Sequence, residues 1–170
     1  KSLIVVGLLA MVVLFQNCAP GGTKKNKVST TSSSTGNPAP QGGDPCYSQF
    51  CATYYDEIDQ TGLAVDRYEG SVIHYDWADG SPGPSIDVDT FSAYMYGVFD
   101  FNEGDVQFNV TADDGIRVLV DGNVVIDQYF DQGPTDYSAV VNLTGGQHSV
   151  EIYYYENGGG AVLRANWTQL

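Results

Sequence analysis

The sequence of 170 residues has little positive charge. All four lysines lie before residue 28, and residues 46–170 hold three arginines against twenty aspartates and glutamates, a formal net charge of −17. The electrostatic field of such a negatively charged region repels the phosphates of nucleic acids and attracts metal cations. The composition therefore excludes nucleic acid as a partner and favours contact with cations.

Long apolar runs and catalytic motifs are also missing. The apolar run over residues 3–15 is only thirteen residues long, whereas a membrane-spanning helix needs about 20. The patterns G-x-S-x-G and H-E-x-x-H, typical of serine hydrolases and zinc proteases, do not occur, and no cysteine has a plausible catalytic base. We therefore predict that the protein is not an enzyme.

The apolar run has the length of the hydrophobic region of a signal peptide, and Gln16, Asn17 and Cys18 follow it at once. A cysteine at this point resembles the lipidation site of bacterial lipoproteins, where it becomes the first residue of the mature protein. The alternative is an ordinary secretory signal with an incidental cysteine. We predict a lipoprotein signal peptide over residues 1–17, lipidation at Cys18, and anchoring in the cell envelope, at the outer membrane or the cell surface.

Residues 18–45 show no hydrophobic periodicity after the cysteine and are rich in Ser, Thr, Gly and Pro. Such a segment cannot bury enough apolar surface to fold, so we predict a flexible tether. Cys46 and Cys51 follow it. In an exported protein, two cysteines this close in sequence predict a short disulfide loop. By reducing the entropy of the unfolded chain, such a disulfide would stabilise the fold by about 2 kcal/mol.

Residues 46–170 are long enough for one domain with one core. Their apolar residues alternate over short runs, as in residues 106–110 and 116–120. Asp121-Gly122 between two such runs is typical of a β-hairpin turn, and no stretch shows a convincing helical period. The pattern predicts an all-β fold, an antiparallel β-sandwich.

Five segments of this region together resemble the PA14 domain family in their order and spacing. They are ATYYDEIDQTG (52–62), HYDWADGSP (74–82), FSAYMYG (91–97), TADDGIRVLVDGNVVID (111–127) and TGGQHSVEIYYYENGGGAVLRANW (144–167). The resemblance implies a β-sandwich of the kind found in adhesins, in toxin protective antigen and beside glycosidases. In lectin-like members two consecutive aspartates, often joined by a cis peptide bond, bind a calcium ion that holds sugar hydroxyls.

The positions that match the calcium ligands of those members are Asp113, Asp114 and Asn157. The resemblance implies calcium as the cofactor, with carbonyls of the later loop completing its shell. Gly158 and Gly159 let that loop bring its backbone carbonyls close to the ion. Trp77, Tyr129 and Tyr155 are alternative candidates for stacking on a sugar ring. Calcium takes six to eight oxygen ligands, which carboxylates, amides and carbonyls supply. The alternative is that Asp-Asp-Gly is a turn between two strands, in which the aspartates bond local amides.

These observations give two functional hypotheses. In the first, a membrane-anchored lipoprotein binds a glycan or polysaccharide through a PA14-like domain, with the help of calcium, for adhesion or for recognition of envelope glycans. In the second, a structural or protein-interaction lipoprotein uses the same sandwich without sugar or metal. A test for glycan binding with and without calcium separates the two hypotheses.

Overall fold

The computed structural model describes residues 43–170. The predicted signal peptide, the lipidation site Cys18 and the tether up to residue 42 lie outside the described residues. Within residues 43–170, no helix could cross a membrane. This part of the chain contains ten strands: β1 (Phe50–Tyr55), β2 (Ala64–Glu69), β3 (Ile73–Ala78), β4 (Phe91–Phe101), β5 (Gly104–Asp113), β6 (Gly115–Val120), β7 (Asn123–Gln128), β8 (Thr135–Leu143), β9 (Gly146–Glu156) and β10 (Ala161–Gln169).

The strands form two sheets. The larger has six strands in the order β2-β1-β4-β9-β6-β7, and the smaller has four in the order β3-β10-β5-β8. Every pair of neighbouring strands is antiparallel. The predicted antiparallel β-sandwich is confirmed.

The core lies between the sheets because alternate residues of each strand face inward. In β5 the inward residues are Val106, Phe108, Val110 and Ala112, none of them more than 5% exposed. Trp167 of β10 packs against four phenylalanines at centroid distances between 4.7 and 6.3 Å: Phe50, Phe99, Phe101 and Phe108. Each fully buried Phe stabilises the fold by roughly 1.5–3 kcal/mol. The sandwich is therefore a firmly packed support for the loops at its strand ends.

The predicted disulfide between Cys46 and Cys51 is present, with an S–S distance of 1.99 Å. The loop that it closes lies along β4, where Ser48 N donates to Val98 O at 2.8 Å and Val98 N donates to Cys46 O at 2.9 Å. The disulfide therefore closes a loop that runs into β1, and the two backbone hydrogen bonds fasten this loop to β4, a central strand of the larger sheet.

The hairpin predicted at Asp121-Gly122 joins β6 to β7. Both residues have positive φ, +50° and +72°, as a type I′ turn requires. Strand β6 pairs with β9 over its whole length, from Gly115 opposite Tyr155 to Val120 opposite Val150. These two strands therefore bring Asp114 near Glu156 at one end and Asp121 near the start of β9 at the other.

Candidate metal site at the acidic end of the sandwich

Three buried carboxylates meet where β5, β6 and β9 end or begin. Asp113 is the last residue of β5, Asp114 precedes the first residue of β6, and Glu156 is the last residue of β9. The peptide bond between Asp113 and Asp114 is cis, as the family resemblance implies. One carboxylate oxygen of each residue lies within 4.8 Å of the others. The exposed fractions of Asp113, Asp114 and Glu156 are 8%, 5% and 0%.

Backbone amides fix the orientation of two of these side chains. Asp114 accepts hydrogen bonds from Gln132 N at 2.8 Å and from Asn157 N at 2.9 Å, one on each carboxylate oxygen. Glu156 Oε1 accepts one from Gly158 N at 2.7 Å. Glu156 Oε2 is buried and has no hydrogen-bond partner among the described residues. A buried polar atom without a partner costs about 1–3 kcal/mol, and a cation or a proton could satisfy this oxygen.

The charge of the cluster is not balanced by basic side chains. In the described part of the chain the ion pairs of arginine are Arg117 with Asp127 and Arg164 with Asp76, and neither includes the cluster. Burial and the neighbouring charge of Asp114 raise the pKa of Glu156 to about 7. The same two causes raise the pKa of Asp113. Both shifts express the cost of placing negative charges together away from water, a cost that a bound cation would remove.

Two further carboxylates flank the loop that follows β9. Asp89 Oδ1 accepts a hydrogen bond from Gly159 N at 3.1 Å. Asp131 Oδ1 accepts one from the Tyr155 hydroxyl at 2.7 Å, and Asp131 Oδ2 accepts one from Asn157 Nδ2 at 3.0 Å. The structure thus brings Asn157 to Asp114 through its backbone, while its side-chain amide contacts Asp131. We call the five carboxylates of Asp89, Asp113, Asp114, Asp131 and Glu156 the acidic end.

A groove of about 550 Å³ lies on the outer face of the larger sheet beside the acidic end. We call it the tyrosine groove, and its lining is Ile58, Asp59, Gln60, Arg117, Tyr129, Tyr153 and Tyr155. The rings of Tyr129 and Tyr155 contact edge to face at 4.8 Å, and the Arg117 guanidinium lies 5.3 Å from the Tyr129 centroid. Aromatic rings with nearby polar groups suit an amphipathic ligand such as a sugar ring. Tyr155 belongs to the groove and also bonds Asp131, so it connects the two features.

Glu156, Asp89 and Asp131 belong to the site but are absent from the sequence-based prediction. Glu156 does carry a signal in the sequence. It continues the inward-facing series of β9, Ile152 and Tyr154, so a carboxylate occupies a position that the alternation assigns to the core. Asp89 and Asp131 lie in connections between strands, where aspartate is common for local reasons. Their proximity to the loop depends on the tertiary fold.

Comparison with known proteins gives a family and several related folds. The model of the PA14 domain matches residues 51–170. The anti-sigma-I factor RsgI3 of Acetivibrio thermocellus is 30% identical over 118 residues, which are 68% of this chain and 18% of that protein. The chain therefore corresponds to less than a fifth of that relative.

Solved structures show the same fold. An anti-sigma factor domain-containing protein from Clostridium clariflavum has a TM-score of 0.63 at 26% identity, over 79% of this chain and 48% of that chain. The PA14 sugar-binding domain from an RTX adhesin has a TM-score of 0.53 at 23% identity, over 72% of this chain and 90% of that chain. At that identity the second likeness shows the fold alone.

Proposed function

Because this chain belongs to the PA14 domain family, we propose that its sandwich is a saccharide-binding module that uses calcium at the acidic end. The observation that carries the proposal is Glu156 Oε2, a buried acceptor without a partner beside the carboxylates of Asp113 and Asp114. A domain built only for stability gains nothing from this arrangement, because an apolar residue at the same position would avoid the cost.

The residues present fit calcium, a hard cation, better than they fit zinc. Asp113, Asp114 and Glu156 offer hard carboxylate oxygens, and together they would hold the ion. Zinc favours Cys and His ligands, and the cluster contains neither. When bound, calcium offers open coordination positions that two neighbouring hydroxyls of a sugar can occupy. The carboxylates hold the cation in place, and the backbone amides of Gln132, Asn157 and Gly158 orient two of them.

The tyrosine groove supports a sugar rather than a protein at this end. The rings of Tyr129, Tyr153 and Tyr155 line the groove. Gln60 and Arg117 also line it and have side-chain hydrogen-bond donors. A sugar has apolar ring faces and a polar rim, so it can use both kinds of contact. The RTX adhesin domain, whose fold this chain shares, is a sugar-binding domain. The proposed activity is therefore binding, not catalysis.

Lipidation at Cys18 would hold this module at the cell envelope, with residues 18–45 as the tether. The proposal rests on the apolar run that precedes Cys18. In the Cys18→Ser variant, expressed in cells, incorporation of a fatty-acid probe should stop and the protein should leave the membrane fraction. Unchanged labelling and partitioning of this variant would contradict the anchor.

A second candidate function is recognition of a protein. The 30% identity over 118 residues to an anti-sigma-I factor favours it, because that relative is named for its action on a sigma factor, which is itself a protein. In that case the sandwich would bind a polypeptide, and neither calcium nor sugar would change the complex.

The deciding experiment is a glycan array probed with the purified domain in calcium and in EDTA. We expect binding to a subset of glycans in calcium and loss of that binding in EDTA. Asp113→Asn should abolish it because it removes one of the clustered charges while nearly preserving shape. Asp105→Asn is the matched control, since Asp105 is an exposed residue that bonds Asn142 at 2.7 Å. Identical array signals in calcium and EDTA, or equal signals for the two variants, would refute the calcium-dependent function.

A further inference from the structure

A second groove, of about 380 Å³, lies on the outer face of the smaller sheet. Its polar lining comes from three neighbouring strands, β5, β8 and β10. We call it the polar groove and define it by six side chains: Asn109, Thr111, Asp136, Ser138, Arg164 and Asn166. None of them belongs to the acidic end or to the tyrosine groove.

The register of the sheet arranges these side chains in two rows. In one row Thr111 of β5 lies between Asp136 of β8 and Arg164 of β10. In the other row Asn109 lies between Ser138 and Asn166 in the same way. The alternate residues of these strands, such as Val110 and Ala165, are buried in the core. The two rows are therefore a continuous polar strip on the face turned to solvent.

Arg164 presents an unused donor to this strip. Its Nη2 donates to Asp76 Oδ2 at 3.1 Å, and its Nε is buried with no hydrogen-bond partner among the described residues. Two buried side-chain polar atoms in the described part of the chain lack a partner, namely Glu156 Oε2 and Arg164 Nε. The first is an acceptor in the acidic end, and the second is a donor at the polar groove. Because the Arg164 side chain as a whole is 38% exposed, a small reorientation of its guanidinium would let Nε donate to an oxygen atom of a ligand.

The charges around the groove argue against an anionic ligand. Asp76 and Asp136 flank the single guanidinium of Arg164, so these three groups sum to one negative charge. The formal net charge of −17 over residues 46–170, of which these three groups are part, adds to the repulsion. The oxygen that accepts from Arg164 should therefore belong to a neutral group.

Donors and acceptors alternate within the strip. Thr111 Oγ1 donates to Asp136 Oδ1 at 2.6 Å, which orients that exposed carboxylate as an acceptor, and Asn109 Nδ2 donates to Asn166 Oδ1 at 3.2 Å, which leaves the Asn166 amide hydrogens as donors. A hydroxyl group both donates and accepts, so adjacent hydroxyls can use Asp136 and Asn166 together. Val110 and Tyr137 also line the groove, but Val110 is buried and Tyr137 packs against the core, so the groove offers little apolar surface that could anchor a peptide. We propose that the polar groove is a second binding site, independent of calcium, for a neutral saccharide.

The test uses the whole domain in EDTA, which removes any contribution from the acidic end. A panel of neutral oligosaccharides is titrated while the backbone amide resonances are recorded by NMR. We expect weak, saturable shifts centred on Thr111, Arg164 and Asn166. Arg164→Lys keeps the charge and removes the Nε donor, and Asn166→Ala removes an exposed amide, so each should lower the affinity about tenfold or more. Thr168→Ala is the matched control, because Thr168 is exposed on β10 two residues beyond the groove.

Each outcome decides the proposal, and none depends on the calcium site. Binding in EDTA that both groove variants weaken and Thr168→Ala preserves supports it, even if the acidic end binds no calcium. No shifts in EDTA, shifts elsewhere on the domain, or equal affinities for all variants overturn it. Saturable binding of peptides in place of saccharides at these residues overturns it as well. An amide spectrum of Asn166→Ala that keeps the native pattern would show that its loss of affinity does not come from unfolding.

Discussion

Strands β6 and β9 lie side by side, and the carboxylates at their two ends have opposite surroundings. At the acidic end, Asp114 and Glu156 share a buried space with Asp113, and no salt bridge in the described residues reaches them. At the other end, Asp121 Oδ2 lies 2.6 Å from His148 Nδ1. We call Asp121, His148 and Thr144 the paired end.

The paired end satisfies its carboxylate from within the protein. Asp121 Oδ1 accepts a hydrogen bond from Ser149 N at 3.0 Å, and His148 Nε2 lies 2.9 Å from Thr144 O. Both ring nitrogens of His148 therefore face acceptors, which suits the protonated imidazole. The comparison shows that negative charge does not by itself mark a functional site in a domain this acidic. Burial without an internal partner distinguishes the acidic end.

The largest expected difference between the two ends is their response to calcium. A ligand that binds the folded state stabilises it by about 2.7 kcal/mol at a concentration of one hundred times its dissociation constant. We expect calcium to raise the melting temperature of the wild type and of Asp121→Asn alike, because the paired end takes no part. Asp114→Asn should lose most of this response. Asn157→Ala should lose less, because its side chain contacts Asp131 and the variant keeps the backbone amide that bonds Asp114. Thermal melts in EDTA and in millimolar calcium measure this rise in melting temperature. A rise in Asp114→Asn as large as in the wild type would contradict a calcium site at the acidic end.

A second difference lies in how tightly the acidic end is built. Gly115 follows Asp114, and a Cβ atom added there would overlap the ring of Tyr155, which in turn bonds Asp131. Gly115→Ala should therefore destabilise the protein by about 2 kcal/mol, as overpacking of a core does. Gly133→Ala is the control, because nothing lies within 4 Å of an added Cβ at that position. Chemical denaturation measures both variants, and equal stabilities would show that the ring moves aside freely.

Much of the fold follows from local patterns in the sequence. Alternation in residues 106–110 and 116–120 predicts β-strands, and the structure has β5 and β6 there. Asp121-Gly122 predicts a hairpin because few other residue pairs accept positive φ twice. Cys46 and Cys51 are close enough in sequence that a disulfide needs no tertiary information. In each case the cause acts over a few residues, so the sequence alone is sufficient.

The candidate site follows from the sequence only in part. Asp113, Asp114 and Asn157 are identified through the family resemblance, but the bond from Asn157 Nδ2 to Asp131 depends on how two distant loops pack. Glu156 reaches Asp114 because β9 lies beside β6, a pairing that no local pattern specifies. The polar groove likewise depends on the register among β5, β8 and β10. Long-range pairing therefore decides which polar residues meet.

A smaller effect concerns the proton that can replace a cation on Glu156. Its pKa in the folded protein is about 7, above the usual value of 4.5, so the folded state retains the proton over this interval. Without calcium the protein should then lose stability as the pH rises from about 4.5 to about 7. Glu156→Gln should remove this loss and be more stable than the wild type at pH 8 in EDTA by about 1 kcal/mol, because the buried charge is gone.

The control for this variant is Glu151→Gln, which changes a glutamate on the same strand that accepts from the Tyr94 hydroxyl at 3.1 Å. It should keep the pH dependence of the wild type. In calcium the order should reverse, with the wild type more stable than Glu156→Gln. If the stabilities of the wild type and Glu156→Gln depend on pH in the same way in EDTA, the raised pKa of Glu156 does not cause the loss of stability at the acidic end.

The smallest expected effect is the pH dependence of stability at the paired end. It comes from a charge that has a partner, whereas the effect at Glu156 comes from a charge that has none. Burial lowers the pKa of His148, but the hydrogen bonds to Asp121 and to Thr144 O outweigh it and raise the pKa above 6.5. The stability that this pair adds is fully present below pH 6.5 and is lost as the pH rises through the folded-state pKa. Because Asp121 is 45% exposed at its side chain, the loss should stay below about 1 kcal/mol.

Proton NMR of the His74→Gln variant measures this pKa directly, since the chain has two histidines and one resonance then remains. We expect His148 to titrate above pH 6.5, and Asp121→Asn to lower its pKa because burial then acts without the opposing carboxylate. If His148 titrates below 6.5 with Asp121 present, the paired end holds a neutral hydrogen bond, and Asp121 is satisfied by the Ser149 amide. The contrast between the ends would then rest on burial alone, since Asp121 is exposed whereas Glu156 is not. A His148 pKa above 6.5 that falls in Asp121→Asn would instead show that the imidazolium of His148 compensates the charge of Asp121. The two ends of β6 would then differ because Asp121 has an internal cation as its partner and the carboxylates of the acidic end have none.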